Sequence, residues 1–227
     1  MKRNPKQPQP NVEIGDEEWS RLHKLTAFER KVRQKGYHNI AGVDEAGRGP
    51  LAGPVFAAAC VIPGNVFISG IDDSKKLTPR VRSQLYDALT QHPQIHYAIG
   101  SVSSEDIDRI NILQATILAM KEAVANLPCD PDYLLVDGLT LSYSTISCEK
   151  IIGGDSKSYS IAAASIIAKE SRDRVMREYH EKWPQYGFAQ HKGYGTRAHR
   201  EAIHKYGPCP IHRFTFEPVK SMAAFQH

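Results

Sequence analysis

No two cysteines in this chain are spaced to share a metal or to cycle between thiol and disulfide. Cys60, Cys129, Cys148 and Cys209 are scattered without a C-x-x-C pair, which argues against a zinc ribbon and a redox dithiol and leaves reduced, mostly buried thiols. Long apolar runs are also missing. None approaches the roughly 18 residues that cross a bilayer, so no membrane association is expected. The segment Met1 to Pro10 begins with basic residues but has no apolar stretch behind it. That argues against a secretory leader and makes the cytoplasm the expected location. Charge of one sign is not in large excess: the net charge of +4 and pI near 8.8 suit a polyanionic partner without demanding one. Internal repeats are absent. So are the G-x-x-x-x-G-K-[ST] and G-x-G-x-x-G fingerprints of nucleotide-cofactor sites, because Ala52 stands where the second motif needs glycine.

What remains is an ordinary globular composition. The 227 residues, 41% hydrophobic and 24% charged, suffice for one well-buried domain. Residues 1–15 are rich in Pro, Gln and Lys and read as a disordered tail, since they have too few large apolar groups to offset the entropy of ordering. From Asp16 to Gly36, Trp19, Leu22, Leu25, Phe28 and Val32 recur at helical steps, which predicts one N-terminal helix. Residues 39–43 and 55–62 read as strands joined in a hairpin-like way, and Thr78-Pro79 starts a helix with Val81, Leu85 and Leu89 on one face. A strand around Ile95 to Ile99 and a helix from Ile110 to Leu127 follow. Tyr133 to Val136 is a continuous apolar run closed by Asp137, as expected of a central strand that delivers an acid at its tip. A strand over 146–152, a helix from Ser158 to about Trp183 and a helix near 196–206 complete the reading.

Four acids stand out by position: Asp44 and Glu45 at the end of the first strand, Asp137 at the central strand's tip, and Asp155 before the long helix. Carboxylates from separate strand ends, gathered in one cleft, repel one another unless a hard cation such as Mg²⁺ or Mn²⁺ joins them. A pair of such ions about 3.5–4 Å apart activates a water and stabilises the leaving oxygen of a phosphodiester. Because consecutive strand residues face opposite ways, Asp44 and Glu45 share a site only if the strand bends or ends there. Gly47-Arg48-Gly49 then offers close backbone approach and a fork of donors, which suits a phosphate or a sugar hydroxyl. A 2′-hydroxyl read in this way separates RNA from DNA.

These residues carry a resemblance. The segment Gly42 to Val55, with Asp72 to Thr78, Val136-Asp137-Gly138, Gly154 to Lys157, Ser160 to Lys169 and Gly193 to Thr196, resembles bacterial ribonuclease HII in order and over residues 37–218. The resemblance implies an RNase H-like α/β fold, with a central mixed β-sheet flanked by helices and a helical C-terminal extension. Residues 37–218 would form the catalytic domain and 219–227 a C-terminal tail. It implies an endonuclease that hydrolyses the RNA strand of RNA–DNA hybrids and incises 5′ of single ribonucleotides in duplex DNA, leaving 3′-hydroxyl and 5′-phosphate ends. By motif match Asp44, Glu45, Asp137 and Asp155 are the metal-binding carboxylates, Gly47, Arg48 and Gly49 the ribose-reading turn, and Tyr194 the tyrosine packed on the next deoxyribose. Ser74 and Lys75 are candidate backbone contacts. The cofactors would be two Mn²⁺ or Mg²⁺ ions, and a monomer with no obligate protein partner is expected.

Alternatives stay open at this point. Asp173 is a second candidate for the fourth carboxylate, though its mid-helix place beside Arg172 and Arg174 suggests surface ion pairing instead. His191, His199, His204 and His212 with Cys209 fit no standard zinc spacing. Arg197, His199, Arg200, His204 and Lys205 read as a basic face near Tyr194, and His212-Arg213 as packing. A binding module that does not cleave, and a nucleotide-cofactor enzyme built on the glycine turn, are the rival classes.

Overall fold

A computed structural model describes residues 15–143 and 145–224. The expected tail therefore lies outside the described residues, except for Gly15. In chain order the elements are α1 (Asp16–Leu25), α2 (Ala27–Arg33), β1 (Ile40–Ala46), β2 (Val55–Val61), α3 (Pro79–Thr90), β3 (His96–Val102), α4 (Ser104–Ile110) and α5 (Ile112–Ala125). There follow β4 (Tyr133–Asp137), β5 (Ser147–Ile151), α6 (Tyr159–Lys182), α7 (Phe188–His191), α8 (Arg197–Tyr206) and α9 (Val219–Ala224). The sheet order is β3-β2-β1-β4-β5. The β1–β2 and β2–β3 pairs are antiparallel, while β1–β4 and β4–β5 are parallel.

The alternation of β1 divides the core in two. Ala41 and Val43 join Ala57, Ala59, Ala115 and Ala119 on the α5 side, while Ala58 and Cys60 join Ala162, Ala163 and Ile166 of α6 on the other. Gly42 faces α6 at a point where a Cβ would lie 2.1 Å from the Ser160 backbone. Small residues on both elements let helix and sheet touch main chain to main chain, and that contact fixes where the start of α6 sits over the strand ends. Ser158 caps α6 by accepting from the Ile161 N–H. No helix among the described residues is long and apolar enough to cross a membrane.

Several expectations are corrected. The N-terminal helix is two helices that meet at Thr26, whose hydroxyl donates to the Leu22 carbonyl. The helix expected from Ile110 breaks at Asn111, which takes a φ of 67° and caps α5 through Oδ1 on the N–H groups of Leu113 and Gln114. Val81 is exposed, and Arg82 turns inward from α3 to meet Asp173 and Glu170. The hairpin-like connection of β1 and β2 is observed, with the two strands paired antiparallel out to Ala46–Phe56. Residues 47–54 lie against a third cluster, in which Leu51 and Ala52 pack with Met176, Phe188 and Ile203 of the C-terminal helices. Val219 at the start of α9 is buried in the same cluster.

Candidate active site

The parallel pairing of β1 with β4 ends at Val43–Val136, whereas its antiparallel pairing with β2 continues to Ala46. Past Val43 the strand has lost one neighbour, and a cleft opens beyond the carboxyl ends of the parallel strands, the usual ligand position in such sheets. Asp44 shares the α6-facing side of β1 with Gly42, and Asp137 closes β4. Asp155 sits in a 3₁₀ turn (Gly154–Ser156) entered through Gly153, whose φ is 64°. Carboxylate oxygens of Asp44, Asp137 and Asp155 lie within 4.8 Å of one another, the only such metal-competent group among the described residues.

Their electrostatics follow from crowding. Burial first, then the charges of Glu45, Asp137 and Asp155, raises the Asp44 carboxyl well above the usual range. Burial and Asp155 raise Asp137, against a 2.6 Å bond from the Gly154 N–H. Lys75 supplies the nearest positive charge: its Nζ donates to Asp155 Oδ2 at 2.9 Å, which raises the lysine's own pKa. Three converging carboxylates and no soft ligand fit a hard divalent cation. Glu45, the next residue on β1, lies outside the three-oxygen group; burial raises its carboxyl, Arg48 opposes this, and Asp137 adds to it. Arg48 Nη1 is 3.4 Å from Glu45 Oε1. Asp173 is engaged elsewhere, accepting from Arg82 at 3.1 Å and Lys169 at 2.7 Å.

Two residues that the sequence reading set aside build the glycine turn. Arg213, fully buried, donates to the carbonyls of Gly47 (2.6 Å), Arg48 (2.9 Å) and Gly53 (2.8 and 3.0 Å). Arg172, also fully buried, donates to those of Pro54 (2.9 Å), Ala52 (3.0 Å) and Lys192 (3.0 Å). The expected surface pairing of Arg172 and packing role of Arg213 are both replaced by this clamp. A signal for Arg172 existed: it continues the four-residue stripe of Ala164 and Ala168 toward Met176, all buried. No pattern marks Arg213.

Gly47 has a φ of 98°, and a Cβ there would strike the Arg172 side chain. Gly49 needs no unusual φ, and a Cβ there would meet only Tyr194 Cε1, at 4.0 Å. Its missing side chain thus leaves open space between turn and tyrosine. Tyr194 is exposed, with Lys169 Nζ 5.6 Å and Arg172 Cζ 5.9 Å from its ring centre. Ser74 is buried behind Lys75; its N–H donates to Ser165 Oγ and its carbonyl accepts from Arg82. The expected basic face loses His199, which is buried. His199 Nε2 lies 3.1 Å from His212 Nε2, and its Nδ1 lies 3.0 Å from the Tyr194 carbonyl. Burial lowers both histidines to about 4. Arg197, Arg200, His204 and Lys205 remain exposed.

Comparison with known proteins gives a consistent picture. The family model described as Ribonuclease HII matches residues 41–219. A ribonuclease HII of Chlamydia pneumoniae is 53% identical over 207 residues, covering 91% of this chain and 96% of the relative. That of Chlamydia caviae is 56% identical, covering 91% and 97%. Among solved structures, ribonuclease H2 from Pyrococcus horikoshii OT3 superposes with a TM-score of 0.69 at 29% identity, covering 82% of this chain and 98% of that one. A ribonuclease HIII structure in complex with Mn²⁺ shares the fold at 17% identity and a TM-score of 0.63.

Proposed function

The chain belongs to the ribonuclease HII family, whose members are endoribonucleases of RNA–DNA hybrids, and from that premise we propose that it also incises duplex DNA on the 5′ side of a single embedded ribonucleotide. Asp44, Glu45, Asp137 and Asp155 hold two divalent ions, Mg²⁺ or Mn²⁺. When bound, the ions supply an activated water and offset charge on the leaving oxygen, so that the products carry 3′-hydroxyl and 5′-phosphate ends. Burial and neighbouring carboxylates raise the proton affinities of Asp44 and Asp137, so a cation bound there competes with protons.

The turn does the reading. The main chain of Gly47 and Gly49 and the Arg48 guanidinium meet the 2′-hydroxyl, and Tyr194 stacks on the sugar of the following deoxynucleotide. A deoxynucleotide at the first position offers no hydroxyl and leaves the donors of the turn unpaired, which is a strong basis for rejection. Lys75 contacts a substrate phosphate beside the acids, and Ser74 fixes the loop that carries it. The enzyme acts as a monomer without an obligate protein partner. One juxtaposition carries this reading: three carboxylates within 4.8 Å, with Asp44 three residues before the turn whose Gly49 faces an exposed tyrosine.

The test is incubation with a DNA duplex holding one ribonucleotide, in Mg²⁺ or Mn²⁺, alongside Asp137→Asn. The wild type should cut at the 5′ side, while Asp137→Asn, which removes a ligand charge with little change of shape, should bind the duplex and lose at least about a thousandfold in turnover. Absence of incision by folded wild-type protein in either metal would sink the reading.

A further inference from the structure

Beside the catalytic cleft, α1 and α2 form one wall of a groove of about 450 Å³, and the loops at 72–76 and 156–157 form the other. Most of α1 and α2 lies outside every segment to which a role has been given above, and both helices precede the stretch matched by the family model. Four cations line the groove: Arg21 and Lys24 from α1, then Lys76 and Lys157. Asp72 is the one carboxylate in the lining, and it is engaged by Lys76 at 3.2 Å. Arg21 is tied to Glu18. Lys24 and Lys157 are exposed and make no ion pair with any carboxylate of the described residues; the Lys157 ammonium donates to the Ile152 carbonyl at 2.6 Å, which leaves it two further donors.

The groove also continues the active site along the chain. Ser156 and Lys157 directly follow Asp155, and Lys76 directly follows Lys75, whose ammonium touches that same aspartate. The wall is firmly mounted: Leu22, Leu25 and Val32 are buried, and Glu29 of α2 accepts from the Ser160 N–H (2.9 Å) and the hydroxyls of Ser158 and Ser160 at the start of α6. A cationic groove lined by the chain neighbours of Asp155 and Lys75, on a firmly mounted wall, is suited to a polyanionic strand.

We propose that this groove is a second contact for the substrate's phosphodiester backbone, with Lys24 and Lys157 as the principal phosphate ligands, so that the N-terminal helix pair extends the nucleic-acid track beyond the cleft. The proposal rests on the nuclease reading for the identity of the polyanion.

The experiment compares the full-length protein with its Lys24→Gln/Lys157→Gln variant on a duplex of about 30 base pairs, roughly 100 Å long and longer than the protein, with one central ribonucleotide. Each lost phosphate contact should lower the slope of log KM against log salt by about 0.9. The double variant should therefore show a slope shallower by about 1.8 and a KM raised about tenfold or more near 0.1 M salt. Lys121→Gln, an exposed lysine on α5 across the sheet, should change neither. Unchanged KM and slope in the double variant, or equal changes in Lys121→Gln, would overturn the proposal. Binding of the same duplex in the Asp137→Asn background, followed by fluorescence anisotropy, gives the groove its own readout. An uncut duplex with wild-type protein would then count against the nuclease reading, while the salt slope of binding still decides the groove.

Discussion

Arg213 uses Nε and both terminal nitrogens on carbonyls of the glycine turn, in a place where water does not reach. A lysine carries one compact ammonium and cannot span those acceptors, so Arg213→Lys leaves buried carbonyls unpaired at about 1–3 kcal/mol each. Its expected signature is a lower unfolding midpoint together with a KM for a single-ribonucleotide duplex raised more than that for a uniform hybrid; an equal rise for both would leave Arg213 only a structural part. Asp44 is governed by crowding. Its folded-state pKa lies above the unfolded value, so in metal-free protein its ionised form costs stability. That cost is absent below the unfolded pKa, near 3.9, and grows as pH rises toward the folded value. Asp44→Asn should therefore raise the melting point of the metal-free protein at pH 8, by about 2–4 °C per kcal/mol relieved, and abolish cleavage. A lowered melting point would show that the carboxylate is held by attractive contacts instead.

At the scale of elements, the approach of α6 to β1 decides where the acids stand. Gly42→Ala pushes a methyl into the Ser160 backbone, which has no side chain to swing aside, and should cost about 3 kcal/mol or more. The unfolding midpoint in urea measures this, and a loss under 1 kcal/mol would mean that the helix can slide. Asn111→Ala removes the α5 cap and places alanine at a φ of 67°, for an expected loss of about 2 kcal/mol in the same assay. Strands and the Thr78 cap were legible because pattern and capping chemistry agree there. The breaks at Thr26 and Asn111 were not, since apolar spacing runs through both; a threonine bonding back to Leu22 and an asparagine adopting a left-handed φ are local choices that periodicity does not record. Val81 stood in phase with Leu85 and Leu89 and is nevertheless exposed, because helix rotation is set by what packs opposite, here the Arg82 ion pairs.

For the whole molecule, Asp137 was readable as a strand tip, since a carboxylate closing an apolar run has few structural uses. The framework holding the glycine turn was not readable, because Arg213 and Arg172 reach it from positions more than a hundred residues away. On the proposed reading the loops around the C-terminal helices belong to the recognition apparatus: the loop before α8 carries Tyr194, and main-chain bonds from Leu51 to Gly193 and from Gly53 to Ile211 hold residues 47–54. The neutral pair His199 and His212 sits in this region. With folded pKa values of about 4, each contributes stability that is full above the unfolded pKa near 6.5 and is lost as pH falls toward 4. The stability advantage of the wild type over His212→Gln, which takes up no proton, should accordingly shrink between pH 7 and pH 5 in urea unfolding; a constant advantage would contradict it. The coupling of ribose reading to cleavage is tested most directly by one measurement, the incision rate of a duplex that differs only at one sugar, carrying 2′-hydroxyl, 2′-fluoro or hydrogen. A cut 5′ of the hydroxyl-bearing nucleotide is expected, with rates at least about a thousandfold lower for the other two sugars. Comparable cutting at the fluoro or deoxy sugar would contradict it.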